Sequence, residues 1–108
     1  MRRASFAVGA ICLVASALAA HADDTPARAA EALATVEKFG AALASGDREG
    51  VLASLAPDVV IFEHGGAEMS REEYAGHHLD GDVEYLKEIK VRTVDRKVIA
   101  GADRVVVL

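Results

Sequence analysis

The chain has one cysteine, two prolines and no tryptophan, and only 5% of its residues are aromatic. A single thiol cannot close an intrachain disulfide, and it cannot supply a cysteine-based zinc motif, so the fold must rest on its apolar core. Basic residues are also short: 12 Lys and Arg face 17 Asp and Glu, leaving a formal charge of −5 with no long Lys/Arg tract. That balance excludes the electrostatic footprint of a nucleic-acid-binding protein. Internal repeats are absent, and the only compositional bias is toward alanine. What is present is 52% hydrophobic residues over 108 positions, too apolar for a disordered chain and enough for one small domain.

Part of that apolar content is concentrated at the start. Met1-Arg2-Arg3 precedes an apolar run from Ala4 to Ala20, and Ala20-His21-Ala22 supplies small residues ahead of Asp23. The pattern is that of a secretory signal peptide over residues 1–22, with Ala17-Leu18-Ala19 as a second cleavage choice. Its alanines and serines and its modest length fit a cleaved signal better than a spanning anchor, so no membrane association is expected after cleavage. The protein is expected to be exported, to the periplasm or outside the cell. Of the charged residues only Arg2 and Arg3 lie in this segment, so its removal takes the length from 108 to 86 and the charge from −5 to −7. Cys12 departs with it.

Residues 23–108 read as one domain of alternating helix and strand. Thr25-Pro26 supplies an N-cap and a first-turn proline, and Ala29, Ala32, Leu33, Val36, Phe39, Gly40 and Leu43 recur at helical spacing until Gly46. Asp47 caps a short second helix carrying Val51, Leu52 and Leu55, which Pro57 stops. Val59 to Phe62 is a strand core with apolar residues on both faces, hence expected to be buried on both sides, and Gly65-Gly66 turns it into a short return strand at Ala67 to Met69. Ser70 to Glu73 is a capping box opening a third helix that places Tyr74, His77 and His78 on one face, with Asp80-Gly81-Asp82 as its interruption. Ile89 to Ile99 reads as a long strand with a bulge, and Gly101-Ala102-Asp103 turns the chain into a last strand at Arg104 to Leu108.

This order, with Ala41 to Asp47, Val51 to Leu55 and Ala56-Pro57-Asp58-Val59-Val60 as its most specific stretch, resembles the nuclear transport factor 2-like superfamily in its SnoaL-like branch. The resemblance implies an α+β fold, the cystatin-like cone, with N-terminal helices packed on a curved antiparallel sheet around a pocket, and here with the last strands missing or truncated. A homodimer through the sheet is the corresponding expectation, with poor solubility as a monomer. Ketosteroid isomerase, in the same superfamily, resembles the run from Val36 to His64 without a gap. By that resemblance Glu63 holds the position of the proton-shuttling carboxylate, while Phe39 replaces the oxyanion-stabilising tyrosine and so offers no hydroxyl.

The candidate acid–base residues are Glu63, His77 and His78, and the candidate ligand-pocket residues are Phe39, Tyr74 and Glu63. A carboxylate at a strand end facing an apolar pocket suits proton transfer, although it equally suits a solvated strand end. His77 and His78 are adjacent, so on a helix they diverge by about 100° and cannot chelate as an i, i+4 pair. No metal site and no cofactor are therefore expected. One histidine packing on the sheet with the other solvated is the structural alternative. Lys87, Lys90, Arg92, Arg96 and Lys97 read as the outer face of a strand near an edge. Two functions remain: a non-catalytic pocket for a small apolar or amphipathic ligand, or a small lyase, isomerase or hydrolase using Glu63 and His77 or His78.

Overall fold

The computed structural model describes residues 24–108, so the expected signal peptide at residues 1–22 lies outside the described residues. Helix α1, Thr25–Ser45, is the spine against which the other elements pack. Pro26 lies in its first turn, where the missing N–H has no helical partner to lose. The cap is Asp24 rather than Thr25, and it serves through its carbonyl, which accepts from the Arg28 N–H at 3.0 Å. At the other end Gly46 adopts φ +75°, and the N–H groups of Gly46 and Asp47 donate to the Leu43 and Ala42 carbonyls at 3.1 and 2.9 Å. These paired bonds form a Schellman motif, and its left-handed residue is why glycine stands there. Asp47 then caps α2, Arg48–Ala53, its carboxylate accepting from the Gly50 N–H at 2.9 Å.

Strands β1, Ile61–Glu63, and β2, Gly66–Glu68, form an antiparallel hairpin. The turn is His64-Gly65, one residue earlier than expected, with φ +48° and +80°. Two consecutive positive φ values match the right-handed twist of a two-residue hairpin, and histidine is among the side chains that tolerate the first of them. The strand is not buried on both sides. Ile61 packs on the core, whereas Phe62 is 82% exposed and Val60 is exposed as well. A two-stranded hairpin has only one face turned to the helices, and among the described residues nothing covers the other.

Ser70 Oγ accepts from the Glu73 N–H at 3.0 Å and so opens α3, Arg71–His77. Glu73 reaches back to the Met69 N–H, 2.7 Å, one residue earlier than a standard capping box. Helix α4, Leu79–Glu88, follows at once, the break falling at His78 and not at Asp80-Gly81-Asp82. Both aspartates instead occupy the first turn of α4, where the positive end of the helix dipole favours them, and the break lets Leu79 reach full burial. Ala42, Leu43, Val51, Tyr74, Leu79 and Val83 make up the core, which α1, α2, α3 and α4 share.

The long strand expected over Ile89 to Ile99 is reduced to β3, Val98–Ala100, paired antiparallel with β4, Val105–Val107. Val91 and Val94 are exposed with nothing packed on them, so alternation alone does not hold that segment in a sheet. Gly101-Ala102-Asp103 turns between the strands as expected, and the Arg28 guanidinium donates to the Gly101 and Ala102 carbonyls at 2.9 and 2.8 Å, fastening the turn to α1. Arg96 pairs with Glu37 of α1 at 2.5 Å. The fold is α+β, as the sequence implies: helices followed by short antiparallel strands, with the sheet of the cone reduced to two hairpins. No helix among the described residues is long and apolar enough to cross a membrane.

Candidate functional site

In the β1–β2 hairpin Ile61 opposes Glu68 and Glu63 opposes Gly66. Cross-strand partners and residues two apart share a face, so Glu63 and Glu68 project to the same side, with only a glycine opposite Glu63. Onto that side the α3–α4 corner brings Tyr74, His78 and Asp82, residues spaced by four. The Tyr74 hydroxyl donates to Asp82 Oδ2 at 2.7 Å. His78 Nδ1 contacts Glu68 Oε1, pairing a half-exposed imidazole with a carboxylate that is only 3% exposed. The His64 ring stacks on His78 with centroids 6.3 Å apart, and its Nδ1 stands 3.7 Å from Glu63 Oε1.

The electrostatics follow from this crowding of acids at a partly dry surface. Burial, then the adjacent Asp82 carboxylate, push the Glu63 pKa up from its ordinary value. Its Oε2 is shut off from solvent and has no hydrogen-bond partner. The hydrogen bond to Glu68 holds His78 above the usual imidazole range. Burial, followed by the bond to Asp82, raises Tyr74 well above an ordinary phenol. Buried carboxylates close together favour bound protons or cations, and the unpaired oxygen of Glu63 is placed to receive one.

Two cavities adjoin here. One of about 490 Å³ is the more polar of the two and is lined by Glu63, His64, His77, His78, Asp82 and Tyr85. The other, about 350 Å³, is apolar and is lined by Phe39, Leu43, Ile61, Phe62, Tyr74 and Leu86, and shares Glu63, Asp82 and Tyr85 with the first. Phe39, Tyr74 and Glu63, the three residues expected to form a pocket, thus line one cavity. Among the expected acid–base residues, Glu63 and His78 meet in the cluster, while His77 is exposed on the wall of the polar cavity. Glu68, Asp82, Tyr85 and His64 were missed as site residues. The signal for Glu68 was available: a two-residue turn at either His64-Gly65 or Gly65-Gly66 puts it on the Glu63 face. A third cavity of about 480 Å³, between α1 and the β3–β4 hairpin, gathers no comparable cluster, its charged lining being Arg28 and Glu31.

Glu63, Glu68 and His78 could also hold a metal ion, since one ligand atom from each lies within 4.8 Å of the others. The expectation of no metal rested on the adjacency of His77 and His78. That geometry still describes the pair, but it says nothing about donors brought in from three different elements.

A helical spine, a capped helical corner and antiparallel hairpins closing on a pocket define the nuclear transport factor 2-like fold class. A solved structure from Shewanella frigidimarina NCIMB 400, described as a "putative ketosteroid isomerase", is similar to this chain at 36% identity with a TM-score of 0.65. The match covers 68% of this chain and 59% of that one. This chain belongs to the nuclear transport factor 2-like superfamily and is distantly similar to ketosteroid isomerase. No family model and no curated protein matches the chain.

Proposed function

We propose that the chain is an exported SnoaL-like domain whose pocket binds a small amphipathic molecule without turning it over. The observation that carries this reading is the position of Glu63 at the junction of the two cavities. A ligand lying across that junction would bury an apolar body against Phe39, Leu43, Ile61 and Leu86 and present a polar end to Glu63 and His78. An apolar lining with a few convergent polar groups is the usual composition of a small-molecule site. The description of the similar structure makes a ketosteroid the first compound to test, beside a straight-chain fatty acid and alcohol of similar length. Calorimetry is expected to show saturable binding that Phe39→Ala weakens by about tenfold, the scale of one lost apolar contact set. Absence of saturable binding to all three compounds would overturn the reading.

One observation favours the alternative, a small lyase, isomerase or hydrolase with Glu63 and His78 or His77 as acid and base. The unpartnered oxygen and raised pKa of Glu63 are what a general base needs. Against it, the Tyr74 hydroxyl is committed to Asp82, and Phe39 stands where the resemblance expects an oxyanion-stabilising tyrosine. Loss of that preorganised donor removes the electrostatic contribution that usually dominates such catalysis. Isomerisation of a ketosteroid above buffer, abolished by Glu63→Gln, would select this alternative. Export is tested by the mass of the protein recovered outside the cytoplasm, expected to begin at Asp23.

A further inference from the structure

We propose that Glu63, Glu68 and His78 form a binding site for one divalent transition-metal ion of the zinc type, opening onto the polar cavity. This goes beyond the amphipathic-ligand reading and does not depend on it. The donors come from β1, β2 and the α3–α4 junction, so they meet only because the hairpin register and the helical break bring them together. Their ligand atoms lie within 4.8 Å of one another, and tetrahedral zinc with bonds of about 2.0–2.2 Å sets ligand atoms about 3.3–3.6 Å apart, so inward rotation of the side chains completes the set.

The burial points to a cation independently of the spacing. Glu68 is almost wholly removed from solvent, and Glu63 Oε2 is buried with no donor. An unpaired buried carboxylate oxygen is costly, whereas a divalent ion shared by both carboxylates satisfies it and adds the countercharge. The donor chemistry selects the class of ion. An imidazole among carboxylates favours zinc-like first-row metals over calcium and magnesium, which take oxygen ligands. Three protein ligands leave a coordination position free, and Glu63 and His78 both border the cavity. His77, next in sequence to His78, lies outside the set of donors and serves as the internal control.

The test uses the full chain stripped with a chelator and titrated with Zn2+ alone, in competition with a chromophoric chelator, and with Co2+ followed by visible absorption. One equivalent of metal per chain is expected, with the d–d absorption of low-coordinate Co2+. Glu63→Gln and His78→Gln are each expected to weaken Zn2+ binding by about a hundredfold or more, and His77→Gln by no more than about twofold, since losing a ligand costs more than losing an outer-shell contact. The glutamine at position 78 keeps a donor for the buried Glu68, and circular dichroism checks each fold. If His78→Gln fails to fold, Glu63→Gln against His77→Gln carries the same readout. Failure to bind one equivalent, or equal losses in the position 77 and position 78 variants, would overturn the proposal. Because no organic compound is present, and ketosteroid binding is measured in chelator, the metal site and the amphipathic pocket fail separately.

Discussion

Tyr74 shows how one side chain joins the core to the site. Its ring belongs to the buried cluster, and its hydroxyl leaves that cluster to donate to Asp82 beside Glu63. Tyr74→Phe keeps the ring and removes the bond, at a cost of about 1–2 kcal/mol for a part-buried bond to a carboxylate. The sign of the pH dependence follows from the raised Tyr74 pKa. Neutral tyrosine is favoured in the fold, so its contribution is fully present below the ordinary phenol pKa of about 10 and is lost as pH climbs through the folded-state value. Urea denaturation at about pH 8 and about pH 11 is expected to show a steeper alkaline loss in the wild type than in Tyr74→Phe. Glu63 was readable as a carboxylate at the end of an apolar strand, and His78 as a neighbour of Tyr74 on a helix face. The face of Glu68 was readable from the hairpin, but its burial was not, because that comes from the packing of the helical corner on β2.

Helix starts and stops were the most readable elements, because the groups that make them are local. Gly46, Asp47 and Ser70 each act within four residues of their partners, and each ends or opens a helix where its chemistry requires. Ser70→Ala is expected to cost about 1 kcal/mol by loss of the N-cap bond to Glu73. Helix α3 carries Tyr74 and delivers His78, so the same variant is expected to weaken ligand binding at the pocket, and thermal unfolding with calorimetry in parallel checks both effects. The α3–α4 break was misplaced for a physical reason. Asp80-Gly81-Asp82 has the composition of a turn, yet the acids are favourable in a first helical turn, and burial of Leu79 and Val83 sets the break at His78. The 89–97 segment failed as a strand because β-branched residues hold a strand only where a neighbour packs on them.

At the scale of the molecule the core is small, with six buried apolar residues among those described. Leu43→Ala is expected to destabilise by about 2–5 kcal/mol, and Leu79→Ala, at a wholly buried position, by the upper part of that range. Urea midpoints measure both, and a change below about half a kcal/mol would remove Leu43 from the core. Outside the core, Phe62, Ile99, Val106 and Leu108 expose apolar surface, and the β3–β4 hairpin has unpaired strand edges among the described residues. Such edges pair readily, and we propose that the homodimer expected from the sequence uses this hairpin. Sedimentation is expected to show a dimer that Val106→Lys converts to monomer, and a monodisperse wild-type monomer would refute it.

By itself the sequence determined the α+β class, the helix boundaries at Gly46, Asp47 and Ser70, the apolar stripe of α1 and the superfamily resemblance. All of these are set by contacts a few residues long or by a pattern repeated along one element. The tertiary structure alone decided that Glu63, Glu68 and His78 meet, that Phe62 faces outward, and that Asp82 rather than a ligand receives the Tyr74 hydroxyl. Those outcomes depend on how the β1–β2 hairpin and the α3–α4 corner pack together, which no local residue pattern specifies. Burial then makes them matter: a carboxylate that water would satisfy on an isolated strand becomes, beneath the α3–α4 corner, a group that needs a proton, a partner or an ion.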